Sequence, residues 1–287
     1  MNPEGVMKEI VGHIESKLND IGLMFRIFFR TKSQDSIRKK LASNPKYGSE
    51  KKLQDIIGIR VVLYFNDDID IVRKVVSSEY SERPTDVSID DCKNDEFKAS
   101  RYNIVYSISD KQERILNLNN RDKSIIDTTF ELQIRTVFSE GWHEVEHDLR
   151  YKCQLDWNGF DCYSRRLNGV YASLETSEWT MIKIFDDLAY NHYKNADWSA
   201  MLRQKFRLRF IPPLLINESI LELFKDNNLA KKFFRLDRSE LIMDMSSKGF
   251  YYPITFDNLI YFANLTKIKN DNILELTPSI MIEDMSS

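Results

Sequence analysis

Cysteine and histidine are scarce in this sequence. Its 287 residues contain only three cysteines and four histidines. The cysteines are Cys92, Cys153 and Cys162. An odd number without a Cys-x-x-Cys spacing argues against a disulfide framework and a structural zinc site, and it favours a reducing cytoplasm. His143 and His147 have the spacing of a zinc-binding pair, but Asp148 is not at the usual position of a third ligand.

Long apolar runs are also missing. No segment approaches the roughly 18 consecutive apolar residues that a membrane-spanning helix needs. Residues 1–9 are polar with mixed charge, which is not typical of a secretory signal. Hydrophobic residues nevertheless make up 42% of the chain and aromatic residues 12%, as in a globular protein with a substantial core. We therefore expect a cytoplasmic protein without a membrane partner.

A large excess of one charge is absent, since the net charge is −3. A polyanion must therefore meet a local basic patch, because the field of the whole protein does not attract it. Arg30, Lys32 and Lys39 form such a patch around a short helix predicted from the N-cap Ser33 to about Leu41. A helix N-terminus with three cations suits a phosphate, although a solvated basic face is the commoner use of such a run.

The segment Phe130–Thr136 alternates between apolar and polar side chains. Its pattern predicts a strand with an acid, an amide and a base on one face, namely Glu131, Gln133 and Arg135. Such a face can hold a polar ligand. On its own, the pattern is more typical of an edge or half-exposed strand, whose outward face is normally charged.

A second strand is predicted from Ile59 onward by a β-branched run. Asp55 lies just before this strand, where an acid can hold Mg²⁺ or can cap a turn. Arg60 lies within the strand and needs a partner if it is buried.

Taken together, the elements predict an α+β fold. Hydrophobic periodicity predicts helices over residues 4–30, 139–152 and 163–193, and strands over 59–65, 101–108 and 128–135. Residues 77–96 are predicted to form a mobile connection, and 111–127 a long turn or hairpin tip. We expect a mixed central β-sheet flanked by helices in a domain of residues 1–195. Residues 196–287, with small helices after Pro212-Pro213, are expected to form a helical accessory domain.

Three segments together resemble the synthetase domain of the RelA/SpoT family. RTKSQDSIRKKL, residues 30–41, resembles its R-x-K-S-x-x-S-x-x-x-K-L segment, and DIIGIRVV, residues 55–62, its D-I-x-G-I-R-V strand. FELQIRT is followed by Trp142, Glu146, His147, Leu149 and Tyr151-Lys152, as in the block E-x-Q-I-R-T…W-x-x-x-E-H-x-L-x-Y-K. The resemblance covers about residues 5–195 and lacks the HD-type hydrolase domain. It implies a nucleotidyltransferase-like fold and a small alarmone synthetase, of the ordinary or the toxic type, with an added C-terminal module.

The resemblance implies transfer of pyrophosphate from ATP to a ribose 3′-hydroxyl, with release of AMP. Arg30 and Arg60 would sandwich the adenine, and Lys32 and Lys39 would hold the phosphates. Asp55 and Glu131 would bind Mg²⁺, and Glu131 would also orient or deprotonate the attacking hydroxyl. Gln133 and Arg135 would line the acceptor side, and His147 would face the same cleft. These residue types suit the transfer of an anionic group to a weakly acidic hydroxyl.

The sequence departs from the family at the acceptor loop, G-Y-x-S-x-H. One alignment places Phe97, Lys98, Ser100 and Tyr102 at the G, Y, S and H positions, so that only the serine matches. Shifting by one residue places Phe97 at the tyrosine and Arg101 at the histidine, which keeps an aromatic residue but loses the serine. Glu140 lies where relatives commonly have a guanine-contacting asparagine, and a carboxylate can accept from guanine N1–H and N2–H.

Three functions follow from these features. The first is a synthetase that makes a guanosine alarmone from ATP and GTP or GDP, as a monomer or a homo-oligomer. The second uses the same transfer on an adenosine nucleotide or on the 3′ end of tRNA. The acidic net charge argues against tRNA, whereas a basic groove would favour it. Such a groove would comprise Lys98, Arg101, Lys231, Lys232 and Arg235. The third is a degenerate nucleotide sensor, against which the retained Asp55, Arg60, Glu131 and Arg135 argue.

Overall fold

The structure is a computed structural model that describes residues 1–44, 46–47, 50–83, 88–89 and 102–286. It forms two compact units. The first comprises Met1–Glu15 and Phe25–Glu178, and the second comprises Ser16–Met24 and the residues from Trp179 onward. The mixed sheet predicted from the sequence lies in the first unit, and the predicted C-terminal helices lie in the second.

The first part of the chain contains both helices and strands. They are α1 (Pro3–Asp20), β1 (Phe25–Thr31), α2 (Gln34–Ser43), β2 (Ile57–Leu63), α3 (Ile69–Glu79), β3 (Ser88–Ile89), β4 (Tyr102–Ser107), α4 (Asp110–Leu116), α5 (Asn120–Ile125), β5 (Thr129–Thr136), α6 (Val137–Glu146) and α7 (Asp161–Lys194). A π-helical turn, His147–Tyr151, follows α6, and a short 3₁₀ turn, Gln154–Trp157, precedes α7.

The five strands form one sheet in the order β1-β2-β5-β4-β3. β2 and β5 are parallel, and the other neighbouring pairs are antiparallel. This register places Arg60 beside Gln133, and Gly58 beside Glu131. Since side chains of directly paired residues point to the same face, the polar residues of β2 and β5 lie on one side of the sheet.

The opposite face of the sheet is apolar and buried. Ile59, Val61, Leu132 and Ile134 are almost fully buried there. The ring of Phe130 packs against Tyr106 at 5.4 Å and Tyr80 at 5.0 Å between centroids. The core thus fixes the strands from one side and leaves the polar side open.

The helix predicted over residues 4–30 was too long, because α1 ends at Asp20 and residues 25–31 form β1. Gly22 has a φ of +70°, and its neighbour Leu23 donates a backbone hydrogen bond to the carbonyl of Leu18 at 3.1 Å. A residue in this left-handed conformation commonly ends a helix. The following FRIFFRT is rich in aromatic residues, which favour a strand.

Two further predictions about the first unit were incomplete. The segment 111–127, expected to be a turn or hairpin tip, contains α4 and α5. Ser109 and Gln112 form a capping box that starts α4, and Asn119 caps α5. The expected connection at 77–96 begins later, because α3 continues to Glu79. Residues 84–87 and 90–101 lie outside the described part.

The second unit is helical after α7. Its elements are α8 (Trp198–Phe206), α9 (Glu218–Leu223), α10 (Asn227–Phe234), α11 (Arg238–Ser247), α12 (Phe256–Ala263), α13 (Asp271–Leu276) and α14 (Ser279–Ser286). Large aromatic side chains fill its core, including Phe206, Phe224, Phe233, Phe256 and Phe262. In the described residues, no helix has the length and apolarity needed to cross a membrane.

Glu178 is a buried acid on α7 that contacts the end of β5. The hydroxyl of Thr136 donates to Glu178 Oε1, and it accepts from the backbone N–H of Ser139 at 3.1 Å. Thr136 thereby caps α6. Burial, supported by the nearby charge of Glu175, raises the pKa of Glu178, although the hydrogen bond from Thr136 opposes this shift.

We predict that Gly22→Ala destabilises the protein by about 1–2 kcal/mol, because an L side chain is strained at positive φ. An added Cβ would also lie 3.0 Å from the side chain of Ile254. Gly12→Ala, in the exposed part of α1, is the control, because its Cβ meets no atom within 4 Å. It should be neutral or stabilising by up to about 1 kcal/mol. Denaturant unfolding measures both, and an unchanged stability of Gly22→Ala would contradict the strained turn.

We predict that Glu178→Gln makes the stability of the protein less sensitive to pH. A raised pKa means that the folded state binds the proton more tightly than the unfolded state. The stabilisation from protonated Glu178 is therefore present below the unfolded pKa and is lost as pH rises through the folded pKa. The amide keeps the hydrogen-bond acceptor without titrating, so the variant gains stability relative to wild type as pH rises.

Urea unfolding from about pH 4 to pH 8 measures this difference. Glu15→Gln, at an exposed position of α1, is the control and should follow the wild type at every pH. A stability difference between Glu178→Gln and wild type that does not change with pH would refute the assignment.

Candidate functional site

Three cavities lie along the polar face of the sheet. The central cavity has a volume of about 500 Å³, the helix-side cavity about 390 Å³, and the loop-side cavity about 490 Å³. The central cavity is lined by residues that include Phe28, Arg30, Lys32, Ser33, Ser36, Asp55, Arg60, Glu131 and Gln133. It therefore brings together residues of β1, α2, β2 and β5 that are distant in the sequence.

Asp55 is held by two lysines immediately before β2. Its Oδ2 atom accepts from Lys32 Nζ at 2.5 Å and from Lys40 Nζ at 2.8 Å. Burial alone would raise the pKa of Asp55, but these hydrogen bonds outweigh it and lower the pKa below its usual value. Its Oδ1 atom is buried without a hydrogen-bond partner among the described residues. One oxygen of the Asp55 carboxylate is thus left for another ligand.

The residues around Asp55 fit a magnesium ion. Asp55 and Glu131 both line the central and the loop-side cavities. Among the described residues, no group of three or more His, Cys, Asp or Glu side chains is placed to hold a metal. Mg²⁺ typically uses one or two carboxylates and completes its shell with water and substrate phosphates. The free oxygen of Asp55 and the carboxylate of Glu131 suit this mode.

Arg60 is bound on the polar face by one amide and two carboxylates. Its Nε atom donates to Gln133 Oε1 at 2.9 Å, and its Nη1 atom donates to Glu140 and, at 2.6 Å, to Glu144. Burial lowers the pKa of Arg60, but the hydrogen bonds to Glu144 and Glu140 outweigh it and raise the pKa. The partner expected for a half-buried arginine is therefore supplied by α6.

The N-terminus of α2 faces the central cavity. Ser33 caps this helix by accepting from the backbone N–H of Ser36 at 3.3 Å, and both serines line the cavity with Lys32. The first backbone N–H groups of a helix favour a phosphate. Arg30 and Phe28 extend from β1 into the same cavity, and the Phe28 ring is 52% exposed. Cations and an exposed ring in one cavity suit a nucleotide.

The structure places Lys39 and Lys40 in different surroundings. Lys39, predicted to hold phosphates, is exposed and lines none of the three cavities. Lys40, not selected from the sequence, binds Asp55 and lies 5.2 Å over the ring of Tyr47. The motif R-x-K-S-x-x-S-x-x-x-K-L has its second lysine at position 40, so its spacing favours Lys40 over the adjacent Lys39. A role of Lys39 in binding ATP stays a prediction.

The helix-side cavity collects several residues expected on the acceptor side. Gln133, Arg135, His147 and Lys152 line it together with Asn103. His147 Nδ1 is 3.0 Å from Asp148, which also accepts from Lys152 at 2.6 Å. The cavity shares Arg30, Arg60, Gln133 and Glu144 with the central cavity, but its described lining includes neither Asp55 nor Glu131.

The expected acceptor loop is mostly outside the described residues. Phe97, Lys98, Ser100 and Arg101 all lie there. Tyr102 begins β4 and pairs with Ile134, so it lies on the apolar face of the sheet, opposite to Gln133. The roles of these five residues stay predictions.

Sequence reasoning missed the loop-side cavity. Its lining includes Lys40, Tyr47, Lys51 and Lys52 in addition to Asp55 and Glu131. The available signal was the Lys51-Lys52 pair shortly before Asp55. A short basic pair is normally a solvated surface, so only its position beside Asp55 makes it informative.

Comparison with known proteins identifies the region that contains this site. Residues 29–156 match the family model described as "Region found in RelA / SpoT proteins", which confirms the resemblance drawn from the motifs. All three motifs lie inside the matched region. Among curated proteins, none is significantly similar in sequence to this chain.

Several solved structures are similar to part of the chain. Small alarmone synthetase 1 from Bacillus subtilis shares 22% identity, with 62% of this chain and 92% of that one covered and a TM-score of 0.45. Small alarmone synthetase 2 from Bacillus subtilis also shares 22% identity, with 62% of this chain and 94% of that one covered and a TM-score of 0.46. A GTP pyrophosphokinase family protein from Streptococcus pneumoniae shares 24% identity, with 63% of this chain and 90% of that one covered and a TM-score of 0.44.

We predict that Lys40→Ala weakens binding of a non-hydrolysable ATP analogue by about tenfold, the loss expected for one charge-assisted hydrogen bond. Lys40 lies at Asp55, where the phosphates would pass, whereas Lys39 is exposed and lines none of the three cavities. Lys39→Ala is therefore the matched control and should change the affinity less than about twofold. Calorimetric titration compares the two variants, and a larger loss in Lys39→Ala would restore the original assignment.

Proposed function

We propose, on the premise that residues 29–156 match a region found in RelA/SpoT proteins, that the protein is an ATP-dependent nucleotide 3′-pyrophosphokinase. It transfers the β,γ-pyrophosphate of ATP to a ribose 3′-hydroxyl, most favourably that of GTP or GDP, and releases AMP. The observation that carries this proposal is the meeting of Arg30, Lys32, Asp55, Arg60 and Glu131 around one cavity.

The central cavity supports binding of ATP. The phosphates would lie at the N-terminus of α2, where Lys32 and the Ser33 and Ser36 positions converge. The adenine would lie toward Arg30, Phe28 and Arg60, because the ring and the guanidinium groups can stack on its faces. Glu144 lines the same end of the cavity. Its negative charge disfavours phosphates there and so favours this orientation.

Glu131 is the proposed general base. Its carboxylate lies at the boundary of the central and loop-side cavities, beside Gln133, whose side-chain N–H donates to it at 3.4 Å. Glu131 would take the proton of the 3′-hydroxyl while the oxygen attacks the β-phosphorus of ATP. The bond between the β-phosphorus and the bridging α-phosphate oxygen breaks, and AMP leaves with the electron pair.

The charge of the transferred group is balanced from the Asp55 side. Lys32 and Lys40 place two ammonium groups at Asp55, so they can contact the phosphates without leaving the carboxylate uncompensated. Mg²⁺ bound by Asp55 and Glu131 would neutralise phosphate charge and orient the reacting oxygens. Fixed cations act more strongly at partly buried positions than in bulk water, and the side chains of Lys32 and Asp55 are only 20% and 30% exposed.

Glu140 supports guanosine as the acceptor through the one carboxylate oxygen that is not bonded to Arg60. A carboxylate can accept from guanine N1–H and N2–H, but Glu140 is already bonded to Arg60. It has a second oxygen, Oε2, that is buried without a hydrogen-bond partner among the described residues. Gln133, Arg135 and His147 are proposed to line the acceptor side from the helix-side cavity. An adenosine nucleotide or the 3′ end of tRNA is the alternative acceptor.

The proposed function is tested by transfer of label from γ-labelled ATP. The protein is incubated separately with GTP, GDP, an adenosine nucleotide and total tRNA, and we expect label in the guanosine products. Label in tRNA instead would overturn the guanosine assignment but not the chemistry. Transfer to no acceptor would support the nucleotide-sensor alternative.

We predict that Glu131→Gln and Asp55→Asn each lower kcat by at least about 100-fold, because general-base catalysis and phosphate charge neutralisation are removed. The circular dichroism spectra of both variants should match that of wild type. The thermal midpoint of Glu131→Gln should stay close to wild type because the side chain lies on a cavity wall, whereas that of Asp55→Asn should fall because Lys32 and Lys40 lose their partner. Glu15→Gln, on the exposed face of α1, is the control and should keep full activity. Undiminished AMP release in the Glu131 variant would refute the mechanism.

A further inference from the structure

The loop-side cavity is a basic pocket beside the proposed general base. Its volume is about 490 Å³, and its lining includes Lys51, Lys52, Tyr47 and Lys40. Lys40 bridges Asp55 and the ring of Tyr47, so it closes the pocket on the Asp55 side. The pocket therefore combines a flat ring, several ammonium groups and direct access to Glu131.

Lys51 and Lys52 are the cations of this pocket that remain available to a ligand. Asp55 is already paired with Lys32 and Lys40. Glu50, also in the lining, lies 3.7 Å from Lys46. Neither Lys51 nor Lys52 forms an ion pair with a described residue, and both side chains are exposed. Two adjacent, uncompensated ammonium groups in a concave site suit a phosphate.

The position of Glu131 decides which cavity can receive the 5′-phosphate end of an acceptor. The attacked 3′-hydroxyl must reach Glu131, and ATP would occupy the central cavity. Of the two remaining cavities, the loop-side one is lined by Glu131 and Asp55, whereas the described lining of the helix-side one contains neither. A nucleoside with its 3′-hydroxyl at Glu131 can therefore place its 5′-phosphate in the loop-side cavity, while its base extends past Gln133 toward the helix-side cavity.

We infer that Lys51 and Lys52 bind the 5′-phosphate of the nucleoside whose 3′-hydroxyl is attacked. This inference rests on the proposed function and identifies a subsite within it. The same chemistry has two sources, because a free nucleotide carries a 5′-phosphate and the terminal nucleoside of an RNA carries a 5′-phosphodiester. An acceptor that lacks this group would lose contact with the pocket but could still reach Glu131.

The test compares Lys51→Ala/Lys52→Ala with the matched control Lys8→Ala/Lys74→Ala. The control removes the same charge from exposed lysines of α1 and α3 that line none of the three cavities. Transfer is measured with GDP, with guanosine and with total tRNA. We expect the KM for the phosphorylated acceptor, which is GDP or tRNA, to rise about tenfold or more in the Lys51/Lys52 variant. KM for ATP and for guanosine should stay at the control value.

A binding measurement keeps this test independent of catalysis. With a saturating non-hydrolysable ATP analogue present, GDP and tRNA are titrated separately into wild type and both variants. We expect the affinity for the phosphorylated acceptor to fall about tenfold only in the Lys51/Lys52 variant. If the Lys51/Lys52 variant loses binding while wild type shows no transfer, the phosphate contact of the loop-side cavity is supported and the proposed function is refuted.

Two results would overturn the inference. The first is an active wild type whose acceptor KM and affinity are equal in the Lys51/Lys52 variant and the control, which would leave the proposed function intact. The second is a wild type that binds neither GDP nor tRNA beside the ATP analogue. A loss that is equal for GDP and guanosine would also count against a phosphate contact.

Discussion

The parallel pairing of β2 with β5 is the contact from which the whole site is built. It sets Gly58 beside Glu131 and Arg60 beside Gln133 on the same face of the sheet. A shift by one residue would move every one of these side chains to the apolar face. The buried residues of both strands oppose such a shift, because Ile59, Val61, Leu132 and Ile134 would then face water. Packing of the apolar face thus fixes the strand register that places Glu131, Arg60 and Gln133 on the polar face.

Charge is balanced around this face before any ligand binds. Asp55 is satisfied by two lysines, and Arg60 by two carboxylates and an amide. Isolated charges at half-buried positions would be costly, so each is paired within the site. In the proposed function, a nucleotide that enters the central cavity would share these partners. Its phosphates would share Lys32 with Asp55, and its base would share Arg60 with Glu144.

Much of the first unit follows from local patterns in the sequence. The alternation in β5, the β-branched run of β2 and the Ser33 cap of α2 each predicted an element that is present. The error at α1 had a local cause, because apolar positions continue past Asp20 at helical spacing while Gly22 turns the chain. The helices α4 and α5 were missed because they are short, and helices of this length show little periodicity.

The sequence by itself determined the types of chemistry present: a cation cluster at a helix start, an acid before a strand, and an alternating strand with a base on its polar face. These are properties of neighbouring residues, and spacing along the chain is enough to show them. Only the tertiary structure decided that Lys40 meets Asp55, that Glu140 and Glu144 bind Arg60, and that Lys51 and Lys52 lie in a cavity beside Glu131. Those contacts join residues far apart in the chain, and they depend on side-chain directions that strand pairing and packing set.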